Sequence, residues 1–291
     1  MAPTEATYIV ISPVRNEEQF IERTIDSMVQ QDIRPAEWIV VNDGSTDRTG
    51  ELIAARSAAH PWIRVVERSN RGFRSAGTGV IEAFCDGYKA VSIRDWEFIV
   101  KLDADLTFQE YYFAKCFEKF RENPRLGVGG GTIFDEFGHE VIPRRSPIFH
   151  VRGATKIYRR ECWEDIGGLL KAPGWDTLDE VKANMCGWET RTFTDLHLLH
   201  HRPTGAADGS WKNSFKNGRA NYISGYHPLF MLLKCLRRLV QKPYVLDSAG
   251  LAWGFLSGYL RRLPQVDDPA LIKYLRRQQL RRLTFSESIW R

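Results

Sequence analysis

The stretch Trp96–Asp105, WEFIVKLDAD, is an apolar run that ends in two aspartates separated by one alanine. Phe98, Ile99, Val100 and Leu102 are apolar and partly β-branched, the composition of a buried strand. Asp103 and Asp105 then fall where that strand runs out into a loop, and open α/β sheets bind their ligands at such strand ends. Two carboxylates one residue apart can share a hard cation and still leave coordination sites for substrate phosphates. An isolated Asp-x-Asp is also a common capping turn, so its meaning depends on the rest of the chain.

Upstream, Tyr8–Ser12 reads as a short buried strand, followed by Pro13, Val14, Arg15, Asn16 and Glu17. Phe20, Ile21, Ile25, Met28 and Val29 then recur at helical spacing. Glu37–Asn42 is a second apolar strand, closed by the turn Asp43–Asp47, and a helix follows to about Ala59. A third strand, Trp62–Glu67, and a helix from about Ser75 to Ala90 lead into the Trp96 strand. Strand and helix alternating through short connections predict a parallel sheet with right-handed crossovers.

Composition sets the outer bounds. The 291 residues are 43% hydrophobic and 26% charged, ordinary for a soluble globular protein. Net charge is +5, with the basic excess concentrated in paired arginines of the last third, such as Arg237–Arg238 and Arg261–Arg262. Five cysteines are scattered singly with no CxxC, which suggests neither a zinc site nor a disulfide framework and fits a reducing cytoplasm. No signal-peptide pattern and no uncharged apolar run of about twenty residues is expected to target or span a membrane. No nucleic-acid partner is expected.

The ordered series PVRNEE, VVNDGSTD, NRGFRSAG and KLDAD resembles the family 2 glycosyltransferases of the GT-A fold, which use nucleotide-sugar donors. The resemblance spans roughly the first two thirds of the chain. It implies a Rossmann-like, mostly parallel sheet with helices on both faces, extended here by an all-helical C-terminal part. It places donor binding on Pro13, Arg15, Glu17, Asp43 and Asp103, and a Mn²⁺ or Mg²⁺ ion on Asp105. Asp43 would accept a hydrogen bond from the nucleobase; as a bare turn residue it would cap Gly44–Asp47. Arg15 stands where the family commonly has an aromatic residue. The family's arginine after the third strand is also missing, since Ala76, Gly77 and Thr78 occupy its place, which leaves Arg74 or Arg71 for the diphosphate.

Beyond the Asp-x-Asp, a helix over Tyr111–Arg121 and a strand over Leu126–Phe134 are expected. Gly129–Gly131 within that strand signal close backbone approach or a bulge. Residues 135–152 read as an irregular acceptor loop. In GWDTLDEVKANMCG, the family's acidic pair aligns with Trp175 and Asp176, making Asp176 the implied catalytic base, with Asp179 and Glu180 one turn on as alternatives. The strand Thr190–Leu199 ends in His200, His201 and Arg202, and a strand-end histidine is implied as a metal or diphosphate ligand, His200 ahead of His201. A zinc-like HxxHH set with His197 lacks further ligands.

From Gly209 onward only helices are expected, the first of them interrupted. The predicted division is residues 1–205, a catalytic domain with donor half about 1–107 and acceptor half about 108–205, and 206–291, a basic helical subdomain. Basic amphipathic helices beside an aromatic apolar one fit docking on an anionic membrane surface or packing on the catalytic core. Gln278 and Arg281 resemble the QxxRW motif of processive members, but Arg282 replaces the tryptophan, so single-sugar addition is expected. The function implied is inverting, metal-dependent transfer from a nucleoside-diphosphate sugar to a glycan or lipid-linked acceptor, in the cytoplasm or on the inner face of the membrane. A catalytically inactive nucleotide-sugar-binding scaffold is the alternative.

Overall fold

A computed structural model describes residues 6–72, 78–137, 140–144, 146–202, 209–240 and 244–290. The first four strands are β1 (Tyr8–Val14), β2 (Glu37–Asp43), β3 (Ile63–Arg68) and β4 (Phe98–Leu102). They pair in parallel in the order β3-β2-β1-β4. β1, β2 and β4 are nearly continuous apolar runs because both faces are covered, whereas the edge strand β3 is half charged and only partly buried. Along β1, Tyr8 and Val10 enter one core while Ile9 and Ile11 enter the other, and Trp38/Val40 against Ile39/Val41 repeat that alternation on β2.

Helices α1 (Ile21–Val29), α2 (Thr49–Ala59) and α3 (Thr78–Ala90) form the crossovers. On α3, a Cβ at Gly87 would lie 2.7 Å from the Ile11 and Val41 side chains, so this glycine lets the helix sit close on the sheet. The chain winds from β1 outward to β3, then returns to add β4 on the other side of β1. The crevice outside the C-terminal ends of β1 and β4 is therefore the topological switch point.

Beyond β4 the sheet becomes mixed. The remaining elements are β5 (Leu106–Phe108), α4 (Tyr112–Glu122), β6 (Leu126–Phe137), β7 (Glu140–Pro143), β8 (Thr155–Arg159), α5 (Arg160–Ile166), α6 (Trp175–Met185) and β9 (Glu189–His200). The order continues β4-β8-β6-β9-β5, with β7 on β6. β8 is antiparallel to β4 and β6, and β5 antiparallel to β9, whereas β6 and β9 run parallel. The segment expected to be irregular from residue 135 is partly strand: β6 continues to Phe137 and turns back into β7. β7 is exposed along its whole length, so it carries no alternation to read. Gly129, Gly130 and Gly131 of β6 are crowded as expected. A Cβ at Gly131 would lie 2.6 Å from the Leu196 carbonyl, and the β6–β9 register shifts between Gly131 and Thr132.

Four helices follow: α7 (Ser210–Ile223), α8 (Pro228–Arg238), α9 (Tyr244–Leu260) and α10 (Pro269–Leu283). The interruption expected in α7 does not occur. Gly218 weakens helix propensity, but a Cβ there would fall 2.1 Å from the Leu251 carbonyl, so close packing against α9 needs glycine and holds the helix together. Gly250, Gly254 and Gly258 answer it from α9 at four-residue spacing. A Cβ at Gly254 would meet the Phe215 carbonyl at 2.1 Å. Gly254→Ala should therefore destabilise the protein by about 1–3 kcal/mol, the usual cost of overpacking, measurable as a lower urea midpoint.

Candidate active site

Three strand ends and the tail of β9 converge on the switch-point crevice. Asp43, the last residue of β2, is buried; its carboxylate accepts from Arg68, its partner in the β2–β3 ladder, and from Arg71. Arg71 also pairs with Glu82 at 2.7 Å. Arg15, just after β1, donates to the Asp43 carbonyl and to Asn70 Oδ1, the latter at 2.8 Å, so one guanidinium ties together the loops after β1, β2 and β3. Pro13 lies beside Val41 in the β1–β2 ladder. Arg74 falls outside the described residues.

Glu17 is buried and receives a two-pronged hydrogen bond from Arg202, at 2.9 and 2.6 Å. Arg202 also lies over the Phe20 ring, and His201 stacks on the same ring. The segment after β9 thus straps the first loop. Sequence reading named Arg202 only as part of the strand end; its pairing with Glu17 spans 185 positions and has no local signal.

Asp105 and His200 meet because β5 begins immediately after Asp105 and pairs with β9, Leu106 opposite His200. His200 Nε2 lies 3.3 Å from Asp105 Oδ2, and both side chains are about nine-tenths buried. On the other edge of the ring, Nδ1 lies 2.8 Å from Asp135 Oδ1. Asp135 sits opposite His200 in the β6–β9 ladder and is itself held by Arg144. Burial works against protonation of His200, but the hydrogen bond and charge of Asp105, helped by Asp135, lift its pKa to about 8. Asp105 Oδ1 is buried with no hydrogen-bond partner. His201 faces away, its ring bonded to Glu136 at 2.6 Å and to Thr107 at 3.1 Å. His197 is exposed and bonds its own strand at Thr194.

Asp103 is paired with Lys101, which also donates to the Gly153 carbonyl. Burial raises the Asp103 pKa, with the Lys101 charge opposing and Asp105 reinforcing the rise. A Cβ on Gly153 would lie 3.2 Å from Asp176 Cβ, so the Asp-x-Asp and the start of α6 are linked through Lys101 and Gly153. Trp175, at the position the family resemblance gives to an acid, has two ammonium groups over its ring, Lys101 at 5.6 Å and Lys156 at 5.5 Å from its centre.

The two alternative acids of α6 have other partners. Asp179 and Glu180 are fully buried and paired with Lys156 at 2.8–2.9 Å. Asp179 further accepts from Tyr158, and Glu180 from the Val151 amide and His150. Asp176 is only half-buried, and its carbonyl accepts from Lys156. Lys156→Ala would leave two buried carboxylates facing each other. Unfolding should become easier by roughly 3 kcal/mol, the low end for a broken buried pair because His150 and Tyr158 remain; urea titration measures it.

Burial disfavours the charged form of His150, yet the charge and hydrogen bond of Glu180 and the charge of Asp176 together outweigh this and raise its pKa. Its folded pKa therefore exceeds the unfolded one of about 6.5, so its stabilising contribution is complete below that pH and lost as pH rises through the folded value. His200 acts with the same sign up to about 8. Metal-free protein should lose stability from pH 6.5 to 8, and His150→Gln should show a shallower loss in thermal melts.

A parallel half with an Asp-x-Asp at its switch point, joined to a mixed half, is the GT-A class of glycosyltransferase fold. The fold matches a mannosyltransferase from Pyrobaculum calidifontis solved with GDP-Man and Mn²⁺, at a TM-score of 0.56 and 18% identity, over 97% of this chain and 76% of that one. It also matches GalNAc-T7 solved with UDP, GalNAc and Mn²⁺, at a TM-score of 0.64 and 15% identity, over 98% of this chain and 55% of that one.

The chain belongs to glycosyl transferase family 2, whose pattern its residues 9–170 match. It is 40% identical over 90 residues to the uncharacterized glycosyltransferase EpsJ of Bacillus subtilis, covering 28% of this chain and 26% of EpsJ. It is 29% identical over 168 residues to the chondroitin synthase of Pasteurella multocida, covering 53% of this chain and 16% of that enzyme. These matches span about a quarter or less of each relative's length.

Proposed function

We propose that this protein transfers one sugar, with inversion, from a nucleoside-diphosphate sugar to a hydroxyl of a glycan or lipid-linked acceptor, in a reaction that needs a divalent ion. The observation that carries this reading is the buried, unpartnered Asp105 Oδ1 beside the Nε2 of His200. With Nδ1 directed at Asp135, the imidazole is oriented to offer its Nε2 lone pair, as in carboxylate–histidine–metal arrangements. A carboxylate oxygen and an imidazole nitrogen suit Mn²⁺, or Mg²⁺ through the oxygen. Among the described residues no group of three or more His, Cys, Asp or Glu side chains is arranged to hold a metal; in this reading Asp105 and His200 are two donors to the ion and diphosphate oxygens would complete its shell. Bound there, the ion would offset the charge growing on the departing diphosphate.

The other roles follow from what each side chain has free. Asp43, oriented by Arg68 and Arg71, retains acceptor capacity for a nucleobase N–H. Arg15 offers a guanidinium plane beside it. Asp103, held by Lys101, faces the ribose. Asp176 takes the acceptor proton as that oxygen attacks the anomeric carbon, because Asp179 and Glu180 are already committed to Lys156. One free acceptor-side carboxylate is what a single displacement requires. Residues 1–205 would carry this chemistry and 206–291 an appended role, and single cysteines fit work in the cytoplasm. The test is a panel of UDP-, GDP-, CDP- and dTDP-sugars with Mn²⁺ or EDTA, reading diphosphate release and the anomeric configuration of the product by NMR. Release from one donor, suppressed by EDTA and giving an inverted linkage, is expected. A retained linkage, or equal release in EDTA, would overturn the reading.

A further inference from the structure

Helices α8 and α9 carry large apolar side chains on their outward faces as well as their inward ones. On α8, Leu229, Leu232 and Leu236 face solvent, Leu232 at 56% exposure, while Met231 and Cys235 on the opposite side are buried. On α9, Val245, Trp253 and Leu256 are exposed, Trp253 at 50%, while Gly250, Gly254, Ser257 and Gly258 turn inward. Spacings of three and four residues on α8, and of eight and three on α9, gather each set on one face. A helix that faces water normally shows its polar side outward; here large apolar side chains face outward although Met231, Leu251 and Phe255 already fill the inward side. The two helices pack on each other, Ser248 Oγ donating to the Cys235 carbonyl at 2.7 Å, so both apolar stripes belong to one helix pair. Exposed apolar surface on this scale marks an interaction site.

The surrounding charge identifies the occupant. Between Pro228 and Arg262 the sequence holds Lys234, Arg237, Arg238, Lys242, Arg261 and Arg262 against a single acid, Asp247. Arg237, Arg261 and Arg262 are exposed. A second copy of the chain would bring these cations face to face, because a two-fold interface sets a patch against itself. An anionic bilayer provides both an apolar layer and the opposite charge. We propose that α8 and α9 dock this protein on the surface of an anionic lipid bilayer, with the leucine and tryptophan side chains at the headgroup–acyl boundary and the arginines among the phosphates. Among the described residues no helix is long and apolar enough to cross a membrane, so the pair would lie in the interface. This docking is independent of the chemistry in the β1–β4 crevice.

Flotation of the full chain tests it, with vesicles of phosphatidylglycerol and phosphatidylcholine at 3:7, or of phosphatidylcholine alone, in low and high salt. Wild type should float with the anionic vesicles, and partitioning should fall at least tenfold in Leu232→Glu/Trp253→Glu, whose sites are exposed, with an unchanged thermal melt. Arg237→Glu/Arg261→Glu, phosphatidylcholine alone, and high salt should each weaken it through the electrostatic share. Wild type remaining in the aqueous fraction, or floating no better than Leu232→Glu/Trp253→Glu, would overturn the proposal. So would a dimer in sedimentation equilibrium that this double variant abolishes without any vesicle binding, which would assign the face to a second copy.

Discussion

Asp105→Asn should lower turnover by about 10³-fold, the scale on which a preorganised charge partner of the departing group contributes. The substitution keeps the shape of the side chain and removes its charge. The fold should tolerate it, because Oδ1 has no partner to lose and, although Oδ2 gives up its charge beside His200, Asp135 still holds the ring from its other edge. A thermal melt within a few degrees of wild type, together with the lost turnover, would separate a failed site from a failed fold. If turnover persisted, the ion would have to be held elsewhere or not be needed.

Asp176→Asn should reduce turnover by roughly 10²–10⁴-fold, the range for losing a general base. Donor affinity should stay unchanged, because Asp176 lies at the start of α6 on the Gly153 side and not in the β2 or β3 loops. The contrast with Asp105→Asn is the informative part, since that variant should lose donor affinity as well as rate. Asp179→Asn would serve as a comparison whose damage is to stability, through Lys156 and Tyr158, in urea titration. If Asp176→Asn were fully active while an Asp179 variant that still folds were dead, the base would be assigned to the wrong acid of α6.

The parallel half of the fold could be read from sequence because its strands are buried on both faces and its helices are short crossovers, so burial wrote continuous apolar runs into β1, β2 and β4. β5 and β7 left no such trace. One has three residues, and the other is exposed throughout and held by its ladder to β6. In α7, a glycine that weakens a helix locally is required by the neighbouring helix, and only tertiary contact reveals it.

The site divides along the same line. Asp43, Asp103 and Asp105 end apolar strands and stand out as polar residues where strands stop. Asp135 lay in a stretch read as irregular, although strand register sets it opposite His200. Arg68 is an ordinary strand-end residue until the β2–β3 ladder sets it against Asp43. The distinction between Asp176 and its neighbours also depends on Lys156, twenty or more positions earlier, whose ammonium occupies two of the three acids. Local spacing cannot report such pairings, which arise from sheet register.

Isothermal titration with UDP, GDP, CDP and dTDP, each with Mn²⁺ and with EDTA, tests the central claim most directly. Tight binding of one diphosphate is predicted with Mn²⁺, with at least a tenfold loss in EDTA and in Asp105→Asn. Equal binding in EDTA, or binding untouched by Asp105→Asn, would contradict a divalent-ion site at Asp105 and His200.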